Sequence, residues 1–226
     1  MRPVFDPPAP PLLPLSGEAG AVPVARIFCV GRNYAAHAAE MGNELDREAP
    51  FYFTKSALHL VPSGATVPYP PATADLHHEM ELAVVLGPGR GGGAVPLGAA
   101  CALDMTRRDL QAAAKERRRP WDLGKDFEGC CAIGPVTRDA APRKGGDGRR
   151  IALEVNGTRR QDARLSDMIH DVPAILADLG RHYALRPGDV ILTGTPAGVG
   201  PVVPGDVLRG SVEGLEDVHL TIGAPG

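Results

Sequence analysis

The chain has 226 residues, 23% of them charged, a formal charge of −3 and no apolar run of membrane-spanning length. That length suffices for one sizeable core, and the weak negative balance gives no electrostatic basis for a nucleic-acid or membrane partner. Four cysteines, Cys29, Cys101, Cys130 and Cys131, show no C-x-x-C spacing and read as small core residues in a reducing, cytoplasmic setting.

Residues 1–23 read as an extended arm, because prolines interrupt the apolar cluster around Leu12, Leu13 and Leu15 too early for a secretory segment. Residues 24–226 read as one domain, without an internal repeat or a second-domain linker. A helix is predicted over 34–41, with Gly42 as its C-cap. Short strands follow at 51–53, 58–61 and 82–86, each rich in apolar residues and mostly bounded by Gly or Pro. The stretch 88–100 is glycine-rich. A second helix is predicted over 107–118, stopped by Pro120, with Thr106 as N-cap and Asp109 as its capping-box partner. Residues 143–150 read as a surface loop, 151–155 as a strand, and Asn156-Gly157 as a tight turn. A helix over 171–183 and strands at 190–192, 207–208 and 218–222 complete a mainly β chain with a few helices.

Glu79 and Glu81 are the most informative residues. Positions i and i+2 of a strand share a face, so both carboxylates point the same way at the mouth of the apolar run Leu82-Ala83-Val84-Val85-Leu86. Asp104 closes the next apolar run, far enough along for a second strand to return beside the first. Unpaired buried carboxylates cost several kcal/mol each, so the triad calls for a cation. An all-oxygen set suits Mg2+ or Mn2+, with Ca2+ also accommodated. The plainer alternative is a solvated edge strand whose acidic pair binds nothing. His77-His78-Glu79 lacks the second histidine of H-E-x-x-H, which excludes a zinc-protease site. On the helix after Asp104, Arg108 and Gln111 are three apart and share a face near that carboxylate. Arg107 points about 100° away from Arg108, at 3.6 residues per turn, and reads as a surface or subunit contact.

Three further features are ambiguous by themselves. His37 and Glu40, i and i+3 on the first helix, form either a surface contact or an imidazole held by a carboxylate as a general base. Lys125 reads as an ordinary surface lysine. Gly194-Thr195-Pro196-Ala197-Gly198-Val199-Gly200 is either a turn or an anion cradle of backbone N–H groups and the Thr195 hydroxyl, and it is no P-loop.

The ordered set Cys29-Val30-Gly31-Arg32-Asn33-Tyr34-Ala35-Ala36-His37, His78-Glu79-x-Glu81-Leu82, Asp104-Met105-Thr106-x-Arg108-Asp109, Trp121-x-Leu123-x-Lys125 and Leu192-Thr193-Gly194-Thr195-Pro196-x-Gly198-Val199-Gly200 resembles the fumarylacetoacetate hydrolase superfamily. Within it, the residues look closest to fumarylpyruvate and acylpyruvate hydrolases. The resemblance implies an α+β, mainly β fold, a rolled mixed sheet with peripheral helices, and a homodimer. It implies a metal held by Glu79, Glu81 and Asp104, a His37–Glu40 dyad on a mobile lid, and Lys125 as a substrate-facing ammonium. Arg32, Tyr34, Arg108, Gln111 and Thr195 are then the expected substrate-binding residues. The implied activity is metal-dependent C–C bond hydrolysis of a 2,4-dioxo acid, fumarylpyruvate first, in aromatic catabolism. The alternatives are decarboxylation or tautomerisation of oxaloacetate on the same site, or a catalytically silent, metal-stabilised protein. Family members usually carry a helix between the metal strand and the third carboxylate, and 88–100 is too short and glycine-rich for one.

Overall fold

A computed structural model describes residues 2–40, 49–143 and 147–226. Its centre is a curled mixed sheet in which the strands run, edge to edge, Phe51–Lys55, Arg26–Gly31, Asp189–Leu192, Met80–Pro88, Ala94–Asp104, Cys131–Ile133 and Leu60–Pro62, with Thr137–Arg138 also pairing to Ala94–Asp104. Asp189–Leu192 lies parallel to Arg26–Gly31 and antiparallel to Met80–Pro88, which makes the sheet mixed. Met80–Pro88 is buried along all but its last residue, as its unbroken apolar run requires of a strand covered on both faces.

A five-stranded sheet, Thr158–Arg164, Arg150–Val155, Val207–Val212, Val218–Pro225 and Ala65–Tyr69, packs against the central one. The two layers approach closely at Gly210, where an added Cβ would stand 2.3 Å from Met80 Sδ. The predicted Asn156-Gly157 turn joins Arg150–Val155 to Thr158–Arg164, with φ of 52° and 75°, the left-handed pair that a type I′ hairpin demands.

The helices are α1 (Ala35–Glu40), α2 (Arg108–Glu116), α3 (Asp122–Lys125) and α4 (Val172–His182). Asp171 caps α4 by accepting a 2.9 Å hydrogen bond from Ala174 N. The predicted end of the first helix at Met41 and its Gly42 cap lie outside the described residues, as do 144–146 of the predicted 143–150 loop. The chain from Ala94 forms a long strand against Met80–Pro88, with a bulge at Val85/Leu86, so residues 89–93 are a hairpin turn and no helix intervenes. In the N-terminal segment, Leu12–Pro14 pairs with Ala21–Pro23, and Leu13 and Val22 are buried in the core.

Two local predictions are corrected. Residues 57–59 form a 3-10 turn capped by the Ser56 hydroxyl, so the strand there begins at Leu60 and not at Leu58. The Thr106 capping box does not form. Thr106 is a fully buried strand residue paired with His77, and α2 starts at Arg108 with Arg107 in the cap position. Buried ionic groups draw the Thr106 hydroxyl away: it accepts from Lys125 Nζ at 2.8 Å and donates to the Asp104 carbonyl at 3.2 Å. Asp109 instead accepts from Thr73 Oγ1 at 2.6 Å and Ala74 N at 3.0 Å.

Candidate active site

Strand register assembles the carboxylates. Met80 faces Leu103 and Glu81 faces Ala102, so the next residues outward, Glu79 and Asp104, come together, and Asp104 N donates to the Glu79 carbonyl at 2.9 Å. Glu79, Glu81 and Asp104 are all buried, and one oxygen from each lies within 4.8 Å of the others. The edge-strand alternative is thereby excluded.

Three cations surround this triad. Lys125 Nζ donates to Glu79 Oε2 at 2.7 Å, Asp104 Oδ2 at 2.8 Å and Thr106 Oγ1, which uses all three of its protons. Lys125 is thus no surface lysine; α3 turns it inward to the carboxylates. Arg108 pairs with Glu79 and donates to Gln111 Oε1 at 2.7 Å, so the i, i+3 relation on α2 is realised on a buried face, toward Glu79 rather than Asp104. The third cation, Lys55, escaped the sequence reading. Its ammonium lies 2.8 Å from Asp104 Oδ1, outside hydrogen-bonding angles, and donates to the carbonyls of Met105, at 3.1 Å, and Lys125. Burial works against the Lys55 charge, but Asp104, with smaller contributions from Cys130, Cys29 and Cys131, more than offsets it and holds the pKa well above the ordinary lysine value.

The carboxylates differ sharply. Burial pushes the Glu79 pKa up, but Lys125 and Arg108 more than offset this and hold it below the usual range. Glu81 goes the other way: burial, then Asp104 and Glu79, drive its pKa well above the carboxylate range. Asp104 Oδ1 is buried without a hydrogen-bond partner among the described residues. A hard divalent cation fits this all-oxygen donor set, because it offsets the repulsion among the three carboxylates that is focused on Glu81.

The 193–200 loop is an anion cradle, but the anions are the protein's own carboxylates. Gly194 N donates to Glu81 Oε2 at 2.6 Å, and Gly198 N to both Glu40 oxygens at 3.2 Å. Gly194 has φ of +96°, and a Cβ there would lie 2.7 Å from Asn33 Cβ. Thr195 lines the cleft, its hydroxyl accepting from Gln161 Nε2 at 2.8 Å. Asn33, also missed from sequence, ties the start of α1 to its surroundings through Thr193 O at 2.8 Å, His170 O at 3.0 Å and His170 N at 2.8 Å.

His37 lines the same cleft, with Nδ1 3.3 Å from Glu40 Oε2. Burial lowers its pKa against the opposing pull of Glu79 and Glu40, so the ring is neutral near pH 7. Arg32 also lines the cleft. Tyr34 does not: it is buried, and its hydroxyl has no partner among the described residues. Arg107 is not a surface residue: it is 9% exposed, and its guanidinium lies 4.3 Å from the Phe127 ring centroid. Lys115 and Trp121 complete the wall.

Such a cleft, with a buried carboxylate triad at its floor and a neutral histidine backed by a glutamate above, defines an enzyme of the divalent-metal, acid–base type. The chain belongs to the fumarylacetoacetate hydrolase family: the model of the fumarylacetoacetate (FAA) hydrolase C-terminal family matches residues 26–222. It is 48% identical over 195 residues to a fumarylpyruvate hydrolase of a Ralstonia species, covering 81% of this chain and 98% of that protein. It is also 40% identical to a mitochondrial oxaloacetate tautomerase of Oryza sativa, over 87% of this chain and 90% of that one. The solved structure of fumarylpyruvate hydrolase from Pseudomonas aeruginosa, in complex with Mn2+ and pyruvate, superposes with a TM-score of 0.89 at 40% identity, covering 99% of this chain and 100% of that one.

Proposed function

We propose that the protein hydrolyses a C–C bond of a 2,4-dioxo acid, with fumarylpyruvate, giving fumarate and pyruvate, as the substrate. The observation that carries this reading is the pairing of a neutral His37, backed by Glu40, with the Glu79–Glu81–Asp104 triad in one cleft. Glu79, Glu81 and Asp104 would hold Mg2+ or Mn2+, which supplies Lewis acidity at the 2-oxo acid end of the substrate.

Glu40 accepts from the His37 Nδ1–H, which leaves Nε2 free to take a proton from water. The hydroxide so formed adds to the C4 carbonyl, the C3–C4 bond breaks, and the electron pair remains on C3 as the pyruvate enolate. His37 returns its proton to C3, and the new carboxyl group releases the water's second proton to solvent to give fumarate, so one water is consumed and the charges balance. Lys125 stands on the floor as a fixed positive charge for the developing oxyanion, and Gln111 holds Arg108 against Glu79. The substrate-binding roles of Arg32, Arg108, Gln111 and Thr195 belong to this proposal, as does a homodimeric, cytoplasmic protein of aromatic catabolism. Among the described residues no helix is long and apolar enough to cross a membrane.

A second reading, tautomerisation of oxaloacetate, is favoured by the similarity to the Oryza protein. It requires proton transfer at C3 but no attacking water. Loss of ultraviolet absorbance separates the two: the proposal expects Mg2+- or Mn2+-dependent consumption of fumarylpyruvate, abolished by chelator. Consumption of oxaloacetate enol with fumarylpyruvate untouched would replace it with the second reading.

A further inference from the structure

The cations of the cleft are paired at the floor and unpaired at the mouth. Lys55, Lys125 and Arg108 are all engaged by Glu79 and Asp104. Lys115 and Arg32 line the same cleft nearer solvent, and neither forms an ion pair among the described residues. Lys115 is placed by helix geometry. It follows Arg108 and Gln111 at i+7 and i+4, so all three share one face of α2, and Lys115 stands about 10 Å further along the axis. Its ammonium is held 4.9 Å from the Trp121 ring centroid, which aims it along the cleft wall. Arg32 has φ of 59°, a conformation that non-glycine residues adopt rarely and that concentrates at functional positions.

Arg108 is committed to the cleft floor, each of its three guanidinium nitrogens being engaged, by His77, Gln111 and Glu79. We propose that Lys115, with Arg32 beside it, forms an anion subsite at the cleft mouth that receives a second carboxylate at the acyl end of the substrate and selects dicarboxylic over monocarboxylic dioxo acids. This rests on the dioxo-acid reading above and extends it to the acyl group. Burial and the charges of Arg108 and Arg32 lower the Lys115 pKa to about 8, so an anionic ligand gains by relieving that repulsion.

The test compares wild type, Lys115→Met and Lys115→Arg, all loaded with Mn2+, on fumarylpyruvate and acetylpyruvate. Titration calorimetry with fumarate provides a readout independent of turnover. The ratio of kcat/KM for fumarylpyruvate to that for acetylpyruvate should fall at least about tenfold in Lys115→Met, mainly through KM, which is the effect of one lost charge-assisted contact. Fumarate affinity should fall by a similar factor, and Lys115→Arg should retain both. An unchanged ratio, or equal loss on both substrates, overturns the subsite. If wild type turns over neither dioxo acid, the functional reading fails and fumarate decides the subsite alone: equal affinity in wild type and Lys115→Met overturns it. Lys115→Gln serves as the neutral variant should the methionine variant fold poorly.

Discussion

Replacing Lys55 by Met should be the most destabilising single change on the cleft floor. Methionine keeps most of the stem's apolar volume, so little of the effect arises from a cavity. What is lost is an ammonium buried at 0% side-chain exposure, 2.8 Å from Asp104 Oδ1, together with its hydrogen bonds to the Met105 and Lys125 carbonyls. Removing one partner of a buried ion pair costs about 3–5 kcal/mol, because the other charge stays buried. For a chain of this size that corresponds to a fall in Tm of roughly 6–20 °C. Urea titration in chelator measures it directly. Adding Asp104→Asn to Lys55→Met should restore part of the loss, because Asp104 then no longer carries a buried charge with Lys125 as its remaining cationic partner. A single variant within about 1 kcal/mol of wild type, below the effect of an ordinary buried contact, would refute the reasoning.

Glu81→Ala should abolish Mn2+ binding in calorimetry and nearly all turnover while the far-ultraviolet circular dichroism stays native; unchanged metal affinity would remove the triad from the account. His37→Ala should lower kcat on fumarylpyruvate by about 10²–10⁴-fold, with metal affinity held, and wild-type turnover would exclude it as the base. The preference for fumarylpyruvate over acetylpyruvate should decline as pH rises through about 8, because Lys115 is charged below that value and neutral above it. Arg108, Arg32, Glu79 and Lys125 are the charged groups that face it, and Lys115→Arg should flatten the profile; a wild-type preference that stays constant from pH 7 to 9.5 would contradict the assignment.

The carboxylate triad was legible because its geometry is local. Two glutamates at i and i+2 before an apolar run must share a face, and one hairpin suffices to bring Asp104 beside them. Lys55 was illegible for the opposite reason. It ends an aromatic strand like an ordinary solvent-seeking lysine, and only the curl of the sheet brings it over Asp104, whose strand is not its neighbour in the sheet order. Lys115 carried a readable signal in its i+7 spacing from Arg108, but a polar helix face looks the same whether it meets water or a cleft. Thr106 misled because its spacing to Asp109 imitates a capping box, and local propensity gave way to buried charges needing a hydroxyl. The His37–Glu40 pair was ambiguous in spacing alone; burial of the ring and the hold of Gly198 on Glu40 make it part of the cleft.

Product stoichiometry on fumarylpyruvate probes the proposed chemistry at its bond-breaking step. With Mn2+-loaded wild type, fumarate and pyruvate should appear in equal amounts as the substrate disappears, with one 18O from labelled water in fumarate, and chelator should stop all three. Substrate that remains intact under these conditions, or pyruvate formed without labelled fumarate, would contradict water attack at C4 and with it the assignment of the cleft as a C–C hydrolase.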